Sequence, residues 1–109
     1  MPGKFSEQCY AILRTVPRGR VTTYRELAHA MKSKAYRAIG NAMNKNPYAP
    51  EVPCHRVVSS SGELGGFAHG PARKIKMLAA EGVLVRDGRI ENFEKKFFPL
   101  SGHNEKRVR

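Results

Sequence analysis

The sequence predicts a mainly α-helical domain with a small β part, organised around a helix-turn-helix. Two short amphipathic segments, at about 23–32 and 35–45, are separated only by a short turn. The second segment contains small residues and basic side chains. The segment 83–90 looks like a β-hairpin, because Asp87-Gly88 suits a two-residue turn.

With 109 residues, the chain has room for one domain. We expect that domain to cover residues 1–100, with a flexible basic tail over 101–109. The elements are predicted in the following order.

The first predicted helix follows Ser6, which could serve as its N-cap. Apolar residues recur at i, i+3, i+4 and i+7, and these are Cys9, Ile12, Leu13 and Val16. Pro17-Arg18-Gly19 is expected to end the helix. Cys9 lies on the apolar stripe, so we expect a small core residue there rather than a reactive thiol.

The second and third helices make up the predicted helix-turn-helix. Residues 23–26 have the form of a capping box, and the helix is expected to run to about Lys32, burying Leu27, Ala28 and Met31. The third helix is expected over about 35–45, with an inner face of Ala35, Ile39, Ala42 and Met43. Its outer face presents Tyr36, Arg37, Asn41 and Lys45. A plain helical hairpin with a solvated Arg37 fits the same pattern.

The middle of the chain alternates loops with short elements. Residues 46–50 contain two prolines and predict an extended loop, and 51–59 follows as an extended segment that contains Cys54. The last helix is expected to begin at Pro71, which suits a first helical turn. Its apolar residues are Ile75, Met77, Leu78 and Ala79.

The net charge indicates the class of partner. The chain carries 20 Lys and Arg against 9 Asp and Glu, a net charge of +11, so a polyanion such as nucleic acid is the expected partner. A basic surface that merely aids solubility is the alternative. The apolar runs are short and no secretory signal is visible, so we expect an intracellular protein without membrane association. The two cysteines and four scattered histidines predict neither a disulfide framework nor a metal site.

Cys54 and His55 are adjacent and are the candidate nucleophile and base. The thiolate is the nucleophilic form of cysteine. On an extended strand adjacent side chains point to opposite faces, so a direct contact is not implied, although a water could relay the proton if the strand bends. A buried structural Cys54 beside a surface His55 explains the pair at least as well.

Pro53-Cys54-His55-Arg56-Val57 resembles the active-site signature of the O6-alkylguanine-DNA alkyltransferases, also called methylated-DNA–protein-cysteine methyltransferases. Four further segments resemble that family's C-terminal domain in the same order along the chain. They are 21–28, 37–43, Asn46-Pro47 and 78–82. The resemblance covers about residues 5–82 and does not include the N-terminal domain that longer members carry.

The resemblance implies a winged helix-turn-helix that binds double-stranded DNA through the minor groove and turns the lesion nucleotide out of the base stack. Cys54 would attack the alkyl group on O6 of guanine, and because the thioether is not hydrolysed, each molecule would react once. His55 would accept the thiol proton through a water, and Glu81 would orient His55. Tyr24 would donate a hydrogen bond to N3 of guanine. No metal or cofactor would be needed.

The same resemblance assigns residues to DNA and to the substrate pocket. Arg37 would enter the base stack, and the DNA-binding set is Thr23, Tyr36, Arg37, Asn41 and Lys45. The pocket set is Asn46, Pro53, Val57, Phe67, Ala68 and His69. The family often has Tyr at Phe67 and a small residue at His69, so both positions bear on substrate range. We expect a monomer in the cytoplasm, associated with the nucleoid in a prokaryote, or in the nucleus of a eukaryote.

Three other functions stay open. A non-catalytic alkyltransferase-like protein would bind lesions for another repair pathway, and the short chain favours it, but those proteins replace the reactive cysteine that this chain keeps as Cys54. A plain winged-helix regulator explains the charge and the helices but not the Cys-His pair. A cysteine hydrolase would need an independent His and Asn near the cysteine.

Overall fold

The computed structural model describes residues 3–66 and 69–100, and it confirms a mainly helical domain with small sheets. The α-helices of the described part are α1 (Lys4–Leu13), α2 (Tyr24–Ala30), α3 (Tyr36–Asn44), α4 (Pro71–Ala80) and α5 (Phe93–Lys96). The strands are β1 (Thr22–Thr23), β2 (Val57–Val58), β3 (Val85–Arg86) and β4 (Arg89–Ile90). A 3₁₀ turn occupies Cys54–Arg56. The predicted tail over 101–109 lies outside the described residues, and within them no helix is long and apolar enough to span a bilayer.

Helix α1 differs from its prediction at both ends. The backbone is already helical at Lys4, with Gly3 as the N-cap and no capping side chain, so Ser6 lies inside the first turn and does not cap the helix. The helix ends at Leu13, because a tight turn intervenes before Pro17 is reached. The apolar stripe nevertheless faces the core as predicted, and its fully buried members are Cys9, Leu13 and Val16.

Helix α2 starts where the capping pattern predicts. The Oγ1 atom of Thr23 accepts a hydrogen bond from the backbone amide of Glu26 at 3.0 Å, which satisfies one of the free amides of the first turn. The helix ends at Ala30, and Lys32 then takes a positive φ of 53° in the turn that leads to α3.

Helix α3 packs its apolar face against α1 and α2. Three of its four predicted inner residues are buried, namely Ile39, Ala42 and Met43. Ala35 is exposed instead, because it is the N-cap and precedes the first helical turn. The predicted outer residues are all exposed, and they are Tyr36, Arg37, Asn41 and Lys45.

The parallel pair β1–β2 joins two hydrophobic clusters. Thr22 pairs with Val57 and Thr23 with Val58. Because successive strand residues point to opposite faces, Val57 packs into the cluster formed around α1, α2 and α3. Val58 packs into the second cluster, whose other members are Val21, Leu64, Leu78, Val83 and Ile90.

The predicted hairpin is present as the antiparallel pair β3–β4. Asp87 and Gly88 have φ values of 52° and 78°. Two consecutive positive φ values are what a type I′ turn requires, and Asp-Gly adopts them readily.

The segment after the hairpin has no counterpart in the predictions. It passes through α5 and returns to Val21, the residue before β1. The amide of Val21 donates to the carbonyl of Lys96 at 2.8 Å, and the amide of Phe98 donates to the carbonyl of Val21 at 2.7 Å. The amide of Leu100 donates to Oε1 of Glu26 at 2.6 Å. The side chain of Leu100 is buried in the cluster around α1, α2 and α3.

The cap of α2 predicts a stability difference between two variants of Thr23. Thr23→Ala and Thr23→Ser both lose the buried methyl group, but only Thr23→Ala loses the hydroxyl that caps the helix. We expect Thr23→Ala to have a free energy of unfolding about 1 kcal/mol below that of Thr23→Ser, measured by urea titration. Equal stability of the two variants would mean that the hydroxyl does not hold the start of α2.

Candidate active site

Cys54 and His55 lie in a tight turn rather than on an extended strand, which corrects the prediction for 51–59. The amide of Cys54 donates to the carbonyl of Val52 and the amide of Arg56 donates to the carbonyl of Pro53, both at 2.9 Å. An extended strand would send the two side chains to opposite faces. The turn instead buries both of them, with Cys54 6% and His55 2% exposed.

Glu81 connects this turn to the end of α4. Its Oε2 atom lies 3.0 Å from Nε2 of His55. Arg56 donates to both carboxylate oxygens, from Nε to Oε1 at 2.9 Å and from Nη2 to Oε2 at 2.8 Å. The Nη1 atom of Arg56 donates to the carbonyl of Val16 at 2.8 Å, which anchors the guanidinium to the turn after α1.

The bond to Glu81 assigns the tautomer of His55. A carboxylate accepts hydrogen bonds, so Nε2 of His55 carries the proton. Nδ1 of the same ring is then a proton acceptor, and it is buried with no hydrogen-bond partner among residues 3–66 and 69–100. The ring therefore presents a free base inside the protein.

Burial and charge set the protonation of this pair. Burial lowers the pKa of His55, and the Glu81 carboxylate opposes this without reversing it, so the imidazole is neutral near pH 7. Burial raises the pKa of Glu81, but the hydrogen bonds from Arg56 and His55 outweigh it, and the net pKa is lowered. Near pH 7 a neutral imidazole thus lies against an ionised carboxylate.

Tyr24 and Gly65 lie near the same turn. The hydroxyl of Tyr24 donates to the carbonyl of Gly66 at 3.4 Å. Burial, followed by the charge of Cys54, raises the pKa of Tyr24, so its hydroxyl stays a donor. A Cβ at Gly65, where φ is +75°, would lie 3.6 Å from Cε2 of the Tyr24 ring and 3.7 Å from Nζ of Lys74.

Lys74 is a buried residue that the sequence interpretation missed. It is 0% exposed, and its Nζ atom donates to the carbonyls of Val57, Leu64 and Gly66 at 2.7, 2.6 and 3.0 Å. Its position four residues before the buried Leu78 places it on the core side of α4, whereas the apolar Ile75 is exposed. The sequence signal that could have identified this buried residue is the position of Lys74 on the same side of α4 as the apolar Leu78.

Four of the five residues assigned to DNA form one exposed surface on α3. Arg37, Asn41 and Lys45 are spaced four residues apart, which aligns them along one side of the helix, and Tyr36 beside them is 48% exposed. Thr23 differs, because it is only 3% exposed and its hydroxyl caps α2. Little of its surface is left for a contact with DNA.

The residues assigned to the pocket are only partly brought together. Asn46 braces the chain before Cys54, since its Nδ2 donates to the carbonyl of Val52 at 2.7 Å and its Oδ1 accepts from the amide of Tyr48 at 2.9 Å. Pro53 and Val57 are buried and His69 is exposed. The other two positions, Phe67 and Ala68, lie outside the described residues.

The second cysteine has the character expected of a core residue. Cys9 is fully buried, and burial raises its pKa to about 12. Its thiol is therefore protonated and unreactive near neutral pH. In the described ranges, no three His, Cys, Asp or Glu side chains are grouped so as to hold a metal ion.

Comparisons with known proteins identify one family. A family model described as 6-O-methylguanine DNA methyltransferase, DNA binding domain, matches residues 4–83. The match lies in the N-terminal part of this chain and is described as DNA-binding, so it does not carry the finer prediction of a C-terminal catalytic domain. A methylated-DNA–protein-cysteine methyltransferase from Sulfolobus acidocaldarius is 42% identical over 81 residues, which are 74% of this chain and 51% of that protein. The chain thus spans about half the length of this relative.

Solved structures are similar in fold as well, among them two that contain DNA. Mycobacterium tuberculosis OGT in complex with DNA is 38% identical with a TM-score of 0.71, over 74% of this chain and 51% of that one. Schizosaccharomyces pombe Atl1 in complex with damaged DNA containing O6-carboxymethylguanine is 27% identical with a TM-score of 0.76. That similarity covers 90% of this chain and 98% of Atl1.

The His55–Glu81 pair predicts a pKa that nuclear magnetic resonance can measure. We expect His55 to titrate below the ordinary histidine value of about 6.5, because burial disfavours its charged form. Glu81→Gln keeps the shape of the side chain but removes the charge that favours the imidazolium, so the pKa of His55 should fall further. Glu63→Gln, which removes an exposed carboxylate, is the control and should leave His55 unchanged. A rise in the pKa of His55 in Glu81→Gln would contradict this electrostatic account.

Proposed function

The chain belongs to the 6-O-methylguanine DNA methyltransferase family, and on that basis we propose that it repairs DNA by moving an alkyl group from O6 of guanine to Cys54. The observation that carries the proposal is the buried turn at 54–56. Supporting it, the Cys54 thiol and the imidazole of the next residue, His55, are both buried, and in that imidazole Nδ1 has no hydrogen-bond partner among the described residues while Nε2 is bonded to Glu81. Relatives that are named methylated-DNA–protein-cysteine methyltransferases support the same chemistry.

The proposed reaction is a single displacement on the alkyl carbon. The proton of the Cys54 thiol passes through a water to Nδ1 of His55, and the sulfur then forms a bond to the alkyl carbon while the bond from that carbon to O6 breaks. The electron pair of the broken bond stays on the guanine, which takes up a proton from water, and His55 returns its added proton to water. Tyr24 donates a hydrogen bond to N3 of the departing guanine. This bond stabilises the negative charge that develops on the guanine.

Glu81 and Arg56 act on His55, the general base, rather than on the guanine. When His55 accepts a proton it becomes a buried cation, and the ionised Glu81 next to Nε2 stabilises that cation. Arg56 holds both carboxylate oxygens, so Glu81 keeps its orientation as the proton moves. A fixed charge of this kind needs no reorganisation during the reaction.

We assign DNA binding to the exposed side of α3. The net charge of +11 and the aligned Arg37, Asn41 and Lys45 suit a polyanion. We propose that a monomer binds the minor groove of double-stranded DNA through this helix, and that Arg37 occupies the space left in the base stack when the lesion nucleotide is turned out. The solved complexes of the similar M. tuberculosis and S. pombe proteins with DNA support DNA as the partner.

A second candidate function is lesion binding without transfer. The observation that favours it is the structural similarity, with a TM-score of 0.76, to S. pombe Atl1, which was solved in complex with damaged DNA containing O6-carboxymethylguanine. The buried Cys54–His55 turn favours transfer. The two candidates differ in whether Cys54 gains an alkyl group.

Intact-mass measurement after mixing with DNA that contains O6-methylguanine tests the proposal. We expect one added methyl per chain at saturation, because the thioether formed at Cys54 is not hydrolysed. Cys54→Ser should bind the lesion and gain no methyl, whereas Cys9→Ala, which alters the unreactive thiol, should gain one. Lesion binding without any mass gain would support the second candidate, and more than one guanine repaired per chain would contradict a self-consumed reagent.

Arg37 predicts a difference between substrates. Arg37→Ala should slow transfer from duplex DNA by about tenfold or more, equivalent to about 1.4 kcal/mol in the barrier, and should slow the reaction with a free O6-alkylguanine base far less. A free base does not have to be held outside a stack. Arg25→Ala removes one exposed positive charge from α2 and is the matched control. An equal decrease in the transfer rate on both substrates would mean that Arg37 is only a solvated surface charge.

A further inference from the structure

The hydroxyl of Thr22 is a polar group inside the protein that the reaction described above does not use. Thr22 is 0% exposed, and its Oγ1 atom has no hydrogen-bond partner among residues 3–66 and 69–100. In that part of the chain one other buried side-chain atom lacks a partner, and it is Nδ1 of His55. Because a buried polar group without a hydrogen bond is costly, such atoms in folded proteins usually bind an ordered water.

The pairing of β1 with β2 places this hydroxyl on the same side of the sheet as Cys54. Thr22 pairs with Val57 in the parallel register, and paired residues of neighbouring strands point their side chains to the same face. Val57 packs into the cluster that contains Cys54, whereas Val21, the residue before Thr22, packs into the other cluster. The side chain of Thr22 is thus directed towards the turn that contains Cys54 and His55.

The groups around this point supply the partners that one buried water needs, which is about three hydrogen bonds. The thiol of Cys54 can donate to the water, while Nδ1 of His55 and Oγ1 of Thr22 can each accept from it. The orientation of the His55 ring is fixed, because its Nε2 atom is bonded to Glu81 at 3.0 Å. The three partners come from β1 and from two consecutive residues of the turn.

We propose that Thr22 is a positioning residue of the alkyl-transfer site, whose hydroxyl holds the water that carries the thiol proton of Cys54 to Nδ1 of His55. The water accepts from the thiol, donates one hydrogen to Nδ1 and donates the other to Oγ1 of Thr22. When the thiol proton moves to the water, the hydrogen that faces Nδ1 moves to His55, and a thiolate and an imidazolium result. The proposal rests on the proposed function for its role in transfer, whereas the shared water is a property of the protein alone.

The alternative is a threonine that only packs in the sheet and whose hydroxyl has no link to His55. Thr22→Val distinguishes the two, because valine has nearly the same shape and also favours a strand but has no hydroxyl. The pKa of His55 is the readout, since a water at Nδ1 accepts a hydrogen bond from the imidazolium and favours the charged ring. Glu81, Arg56 and Lys74, the charged groups that also act on His55, are the same in both proteins.

The first experiment follows the titration of His55 by nuclear magnetic resonance in the full chain. In Thr22→Val we expect the pKa of His55 to fall below that of the unmodified protein, while Thr22→Ser, which keeps the hydroxyl, should leave it in place. Thr15→Val is the control, because it removes an exposed hydroxyl that is bonded to the carbonyl of Ile12 at 2.7 Å. A pKa of His55 that is unmoved or raised in Thr22→Val would overturn the proposal.

A second measurement needs no variant and covers the case in which Thr22→Val does not fold. A high-resolution crystal structure of the unmodified protein should contain a water within hydrogen-bond distance of both Oγ1 of Thr22 and Nδ1 of His55. Any other arrangement, such as a water that contacts Nδ1 alone or a direct bond between the two atoms, would contradict the proposed role of the hydroxyl.

Transfer from methylated DNA separates this proposal from the proposed function. If the unmodified protein gains no methyl, the proposed function fails, while the titration and the crystal structure still decide whether Thr22 and His55 share a water. If it does gain one, Thr22→Val should transfer about tenfold more slowly at neutral pH, because the general base receives the proton less efficiently. Thr22→Ser should transfer at nearly the unmodified rate.

The dependence of that loss on pH identifies its cause. At high pH hydroxide can take the thiol proton of Cys54 without the relay, so the difference between Thr22→Val and the unmodified protein should shrink as the pH is raised. A loss of transfer that is the same at every pH would indicate a packing defect and contradict the relay.

Discussion

The carboxylate of Glu81 is the interaction on which the rest of the site depends. It stands at the end of α4, and through it that helix meets His55, Arg56 and, by way of the Arg56 guanidinium, the turn after α1. Arg18 adds a bond from Nη2 to the carbonyl of Ala80 at 2.7 Å on the same helix end. Because a partly buried carboxylate is costly without such donors, the position of α4 and the protonation of His55 are set by one group.

Local patterns predicted the parts of the fold that local forces determine. The periodic apolar residues of α1 and α3, the Thr23 cap and the Asp87-Gly88 turn were all foreseen because each depends on neighbours within a few residues. The turn at 54–56 was not predicted, since the apolar residues around Cys54 were read as an extended strand. In the folded chain the turn brings Arg56 and His55 to the carboxylate of Glu81, some 25 residues away.

Local sequence patterns could predict only part of the candidate site. Adjacent Cys54 and His55 could be singled out as chemistry-bearing residues, but Glu81 and Tyr24 were linked to them only through the family resemblance, because nothing local signals a contact across that distance. Lys74 was predicted neither from the local pattern nor from the family resemblance. A lysine is normally placed at the surface, and its three acceptors come from segments that only the folded chain brings together.

The return of residues 96–100 to Val21, the residue before β1, has a consequence for how the chain holds together. The family match ends at residue 83, yet the segment beyond it reaches Val21 of one hydrophobic cluster and buries Leu100 in the other. The two clusters are thereby linked into one cooperative unit. We expect the backbone amides of both clusters to exchange hydrogen with solvent in one opening event rather than in two. A fragment trimmed to the boundaries of the family match would lose that second link and keep only the β1–β2 pair between the two clusters.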